Sequence, residues 1–222
     1  LGLDKFGRAA RRDRSERLAE AFGFGSAVNG LTRTRADQYF YLNGIAAERP
    51  DAVGTAAELI RATQPARADD TVRDLFVPAP AANAEALKAA IDAHRALTDV
   101  ENLTVLLLDG NEAFAKDAND HVGPRGGSAM RASELKTATD LERLLERSGG
   151  AFSRLRVLAH KDALLPDALI AMFLEMSQRS SSPIAVDVLI LSALMGNAMA
   201  IRAGMNDLEG LVRFRRLIST QA

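Results

Sequence analysis

The 222-residue chain contains no cysteine. That absence excludes disulfide staples, thiol nucleophiles and thiolate-ligated metals together, while leaving the compartment open. Charge of one sign is also lacking: 28 Lys and Arg against 29 Asp and Glu leave a formal charge of −1. No net field therefore draws the chain toward nucleic acid or an anionic membrane. No apolar run approaches the roughly 18 residues needed to cross a bilayer. The best candidate, VLILSALMG, is preceded directly by Asp187. There is no signal-peptide pattern, and the opening LGLDKFG has no Met. A mature form, or a segment of a longer protein, is the expectation.

Catalytic signatures are equally sparse. The chain has no G-x4-G-K-[ST], no H-E-x-x-H and no G-x-S-x-G, which removes the P-loop, the zincin helix and the hydrolase elbow. His94, His121 and His160 are widely separated, so no zinc site is expected. DGNEAFAKDAND opens like a calcium loop at Asp109 and Asn111. It then places Ala113 at a ligand position and Phe114 where the turn needs glycine. FGFGSAVNG contains a G-x-G without a preceding strand. Ser133 and Lys136 have the S-x-x-K spacing, but no K-T-G follows; an exposed helix start is the simpler reading. No cofactor or metal is expected.

What is present reads as helix. Hydrophobic residues make up 47 % and charged residues 26 % of the chain, ordinary proportions for a globular protein. Ala, Leu, Glu, Arg and Asp fill the stretches between glycine and proline breaks, and these are good helix formers or cap residues. Asn83 can cap a helix presenting Leu87, Ile91 and His94 inward. Thr139 and Glu142 have capping-box spacing. DALIAMFLEM after Pro166 is apolar nearly all round, as for a buried helix. From Ile190 to Leu217, apolar residues recur at three- and four-residue steps. Ser182 and Pro183 mark the start of that segment, and Glu209 lies four residues before Arg213. The pattern predicts one helix of about 30 residues, roughly 45 Å long. NLTVLLLDGN fits a buried strand or a helix, and the helical period over Val100, Leu103, Leu107 and Phe114 is preferred. The expected fold class is all-α: an elongated antiparallel helical bundle with long N- and C-terminal helices. It would form a single domain over 1–222, with a sub-bundle over 84–160 and a mobile loop at 123–128.

Three clusters invite functional readings. Lys5, Arg8, Arg11, Arg12, Arg14 and Arg17 interleave with Asp4, Asp13, Glu16 and Glu20, which fits a solvated helix face better than a phosphate-binding stripe. In RTRADQYFYLNG, Arg33, Arg35 and Tyr39 are candidate ligand-binding residues. The plainer alternative has Phe40 packed inward and the tyrosines at its edges. Within the last segment, Arg202 and Asn206 lie one helical turn apart among Gly196, Gly204 and Gly210. These glycines would let helices approach closely, and the two polar residues would face a cleft able to hold a small anion.

Ala46–Arg49 (AAER), Leu155–Arg156 and IRAGMNDLEGL, in that order, resemble the all-helical extracytoplasmic sensor domains of bacterial receptors, of the nitrate/nitrite-sensing type. The chain differs from that pattern at Pro50, where a glycine is expected, and at Asn206–Asp207. The resemblance implies a non-enzymatic sensor domain in signal transduction. A small polar or anionic ligand would sit between helices, and copies would pair through the long helices. The domain would lie on the periplasmic face of a receptor whose membrane segments flank this chain; a cytoplasmic location is the alternative. A helical scaffold binding a partner protein is a second expectation. A third is a HEPN-like ribonuclease using Arg154 and His160, whose spacing matches that family's R-x4-6-H.

Overall fold

A computed structural model describes residues 33–64, 71–110 and 112–220. It replaces the expected helical bundle with a sheet enclosed by helices. The elements run α1 (Arg33–Glu48), β1 (Val53–Thr55), α2 (Ala56–Ala62), β2 (Val72–Val77) and α3 (Ala84–Thr98). Then follow β3 (Thr104–Leu107), α4 (Glu112–Val122), β4 (Ser128–Arg131), α5 (Ala138–Arg147) and β5 (Arg154–His160). The chain closes with α6 (Asp167–Gln178), β6 (Ala185–Leu191), β7 (Met199–Ala203) and α7 (Met205–Thr220). The strands form one seven-stranded sheet in the order β1-β7-β6-β5-β2-β3-β4. Strands β2 to β6 are mutually parallel, while β7 runs antiparallel to both β6 and β1.

Alternation along each strand explains both layers. On β2, Leu75 and Val77 join a core that holds α1, α5, α6 and α7, whereas Phe76 joins Leu87 and Ile91 of α3 and Ala115 and Ala118 of α4. On β5, Val157 faces the first layer and Leu158 faces α2. Every central strand is thus covered on both faces, and a strand covered twice is apolar at consecutive positions rather than alternate ones. That is why the all-α reading fails. LTVLLL and AVDVLIL lose the period-2 signature when both faces are buried, and helical spacings can then be picked out of a continuous apolar run. The last segment is accordingly β6, a turn, β7 and α7 instead of one long helix. Thr104–Leu107 is a strand, and the helix before it, α3, ends at Thr98. The likeness to helical sensor domains falls with the same observation, since their architecture has no place for a seven-stranded sheet.

Local helix signals fare better. Asn83 Oδ1 accepts from the Ala86 N–H at 2.9 Å and opens α3. Leu87, Ile91 and His94 are buried as expected. Asp99 closes that helix in the left-handed conformation at φ 57°. The capping box of α5 forms two residues earlier than the spacing predicts, between Thr137 and Asp140. Gly149 and Gly150 follow the end of α5, and a Cβ on Gly149 would lie 2.2 Å from Arg73 Nη1. Only glycine admits that guanidinium, which donates to the Ser148 and Gly150 carbonyls beyond the helix end. Gly210 supports the expected close approach of helices: a Cβ there would lie 1.9 Å from the Tyr41 hydroxyl of α1. α1 and α7 pack on each other there, with Tyr41 and Phe214 ring centroids 5.9 Å apart. Among the described residues no helix is long and apolar enough to cross a membrane.

Candidate functional site

In strand sequence, the parallel part of the sheet has the order 3-2-1-4-5, as in doubly wound folds. Its first and fourth strands, β2 and β5, are neighbours whose following helices pack on opposite faces. Two connections that leave one sheet edge in opposite directions open a crevice between them. Such switch points, at the carboxyl ends of the strands, are where open α/β sheets bind ligands. The crevice exists here, with a volume of about 550 Å³, inside the usual range for small-molecule sites.

Three connections build its walls. Pro78–Ala81 follows β2, Leu108–Gly110 follows β3, and Asp162–Leu164 with Pro166 follows β5. Leu87, Leu107 and Phe114 form an apolar floor. Against this lining stand two carboxylates, Asp109 and Asp162, and no Lys or Arg among the described residues. Asp109 is exposed, and among the described residues no side chain bonds to it. Asp162 is anchored: Lys161 Nζ lies 3.4 Å from Oδ1, and the Asp162 N–H donates to His160 Nδ1 at 3.1 Å. With Nδ1 accepting, a neutral His160 ring carries its proton on Nε2.

The wall after β5 is tied from behind. Arg215 of α7 donates to the Leu165 carbonyl at 2.7 Å, to Asp167 Oδ1 at 2.9 Å and to Gln38 Oε1 at 2.9 Å. Gln38, fully buried on α1, donates in turn to the Ala163 carbonyl at 3.4 Å. The first and last of the described helices thus hold one side of the crevice, and such support gives a site its definition.

The phosphate cradle of a dinucleotide fold is missing. Such cradles use a glycine-rich turn, free backbone N–H groups and a helix N-terminus. Here the turn after β2 is Pro-Ala-Pro-Ala-Ala-Asn, without glycine, and Pro78 and Pro80 supply no N–H. At the N-terminus of α3 the Ala86 N–H is bonded to Asn83 Oδ1 and the Leu87 N–H to the Asn83 carbonyl. Glu85 adds a negative charge to that first turn.

The residues singled out from the sequence lie elsewhere. Arg33, Arg35 and Tyr39 are on α1, and their side chains fall outside the described residues, as does the basic segment from Lys5 to Arg17. Arg202 is on β7, donating to Asp187 Oδ1, and Asn206 is exposed in the first turn of α7. The two therefore share no helical face. Arg154 and His160 occupy opposite ends of β5, about 20 Å apart at 3.3 Å per residue, so the paired arrangement of a HEPN-like site is not formed. Asp109 entered the sequence reading only through the rejected calcium loop, and Asp162 gave no signal. The available clue was an acidic residue directly after an apolar run, LLLD, once that run is read as a strand.

The opposite edge of the sheet carries a different polar set. Arg156 makes two hydrogen bonds to Asp74, at 2.9 and 2.8 Å, with both side chains at most 3 % exposed. Asp187 is clamped between Arg154 and Arg202. His94 packs on Phe76 with centroids 4.5 Å apart. Burial, aided by the nearby Arg156 and Arg95 charges, pushes its pKa down to about 3. The carboxylates here are taken up by arginines, while His94 Nε2 and Arg154 Nε are buried without a hydrogen-bond partner.

Comparison of the chain with known protein families, with characterised proteins and with solved structures returns no match. The functional reading therefore stands on the site's own chemistry.

Proposed function

We propose that the protein binds a small, phosphate-free polar ligand in the crevice between the connections after β2, β3 and β5. The observation that carries this reading is the lining itself: an apolar floor, two carboxylates, and no cation among the described residues. Carboxylates accept hydrogen bonds and attract positive charge. They repel phosphate, at about 1 to 4 kcal/mol per charge pair at 4 Å, depending on exposure. The ligand is thus one that donates hydroxyl or amine hydrogens from an apolar frame. This keeps the small polar ligand expected from the sequence, but moves it from a helix seam to a sheet edge and drops the anion.

The test is thermal stabilisation of the chain by adenosine and by spermidine, with ATP as the polyphosphate control. A site bound at 100 times its Kd stabilises by about 2.7 kcal/mol. Stabilisation by a phosphate-free probe, none by ATP, and loss of the effect in Ala79→Trp, which fills the crevice, are the expected results. Stabilisation by ATP alone would overturn the reading.

A further inference from the structure

Resting on that reading, we infer that the ligand is a ribonucleoside without phosphate, its vicinal hydroxyls held by Asp109 and its base lying against Phe114. Three placements converge on this. Asp109 follows the second strand of the 3-2-1-4-5 order, the position from which doubly wound folds present an acidic side chain to ribose hydroxyls. Its carboxylate is exposed and takes no side-chain partner among the described residues, so both oxygens are available to accept from adjacent hydroxyls.

Phe114 is the aromatic ring of the lining. It stands directly over the turn that carries Asp109: a Cβ on Gly110 would lie 3.4 Å from Phe114 Cβ. The Asp109 carboxylate and the apolar ring therefore stand on neighbouring parts of the lining, with Leu87, Leu107 and Leu108 adding apolar surface to it. A planar base stacks on such a surface through dispersion and quadrupole complementarity.

The third placement sets the specificity. Where a nucleotide would extend its phosphates, across the turn after β2, the chain places two prolines, a bonded Ala86 N–H and Glu85. The site has kept the ribose position and lost the phosphate position, so nucleosides bind and each added phosphate weakens binding.

Titration calorimetry on the full chain tests this with adenosine and uridine, each beside its 5′-monophosphate and 5′-diphosphate. At least one nucleoside is expected to bind, with affinity falling tenfold or more on the first phosphate and further on the second. Asp109→Asn is expected to cost tenfold or more in nucleoside affinity without a change in Tm, and removal of the hydroxyls in 2′,3′-dideoxyadenosine should do the same to adenosine. Equal or tighter binding of the phosphorylated forms would overturn the inference, as would an Asp109→Asn variant that binds normally. If both nucleosides fail while spermidine still stabilises the parent and not Ala79→Trp, the inference falls and the crevice reading stands. If spermidine fails as well, both fall.

Discussion

The two edges of the sheet use the same residue types to opposite ends. At the amino edge Arg156 pairs with Asp74, and Arg154 and Arg202 both pair with Asp187. At the carboxyl edge Asp109 and Asp162 face a cleft that holds no cation among the described residues. Taking charge out of water costs several kcal/mol per ion, so the buried charges must be paired, and pairing uses up their capacity to bind anything else. Asp109 is exposed, incurs no such cost and keeps its lone pairs for a ligand, while Asp162 is half-buried beside Lys161. An Asp or Arg in this chain is therefore classified by its surroundings, not by its type.

Breaking the amino-edge pair gives the largest expected effect. Arg156→Met leaves Asp74 buried without its partner and should cost about 3–5 kcal/mol, read by denaturant unfolding. The double variant Arg156→Met with Asp74→Asn should recover a substantial part of that loss. If the double variant is as unstable as the single one, the charge pairing is not what matters.

Acid should attack the same edge first. His94 is neutral in the folded state, with a pKa of about 3 against about 6.5 when unfolded. A lowered folded pKa contributes stability that is complete above pH 6.5 and is lost as pH falls toward 3. The slope approaches roughly 1.4 kcal/mol per pH unit within that window. His94→Phe should flatten the dependence of unfolding free energy on pH between 6 and 3.5; an unchanged slope would count against a neutral buried ring.

Gly149→Ala should cost about 1–3 kcal/mol by forcing Arg73 off the carbonyls after α5. Thermal melting reads this, and the variant should leave ligand binding untouched. The smallest stability effect belongs to the carboxyl edge: Asp109→Asn should change stability by no more than about 0.5 kcal/mol while removing ligand affinity. A large loss of stability there would erase the distinction between the two edges.

Helix ends were legible because their determinants are local. Asn83 caps α3, the segment after Pro166 is a buried helix, and Glu209 pairs with Arg213 one turn on. Strands were not legible, because burial on both faces hides the alternation that marks a half-exposed strand. The missed evidence was of longer range. Strands β2 to β6 begin at residues 72, 104, 128, 154 and 185, near the spacing of about 30 residues per βαβ unit. Val186, Val188 and Ile190 also supply the β-branched residues that strands favour.

For the site, the sequence by itself determined a great deal of what is excluded: no thiol chemistry, no P-loop, no zincin helix and no glycine-rich phosphate turn. It also marked the starts of α3, capped by Asn83, and of α6, after Pro166, since such signals act within one turn of chain. Only the tertiary structure decided that Asp109 and Asp162, separated by 52 intervening residues of sequence, share one cleft, and that Arg202 is paired with Asp187. Strand order is set by contacts between residues far apart in the chain, and no local pattern encodes it.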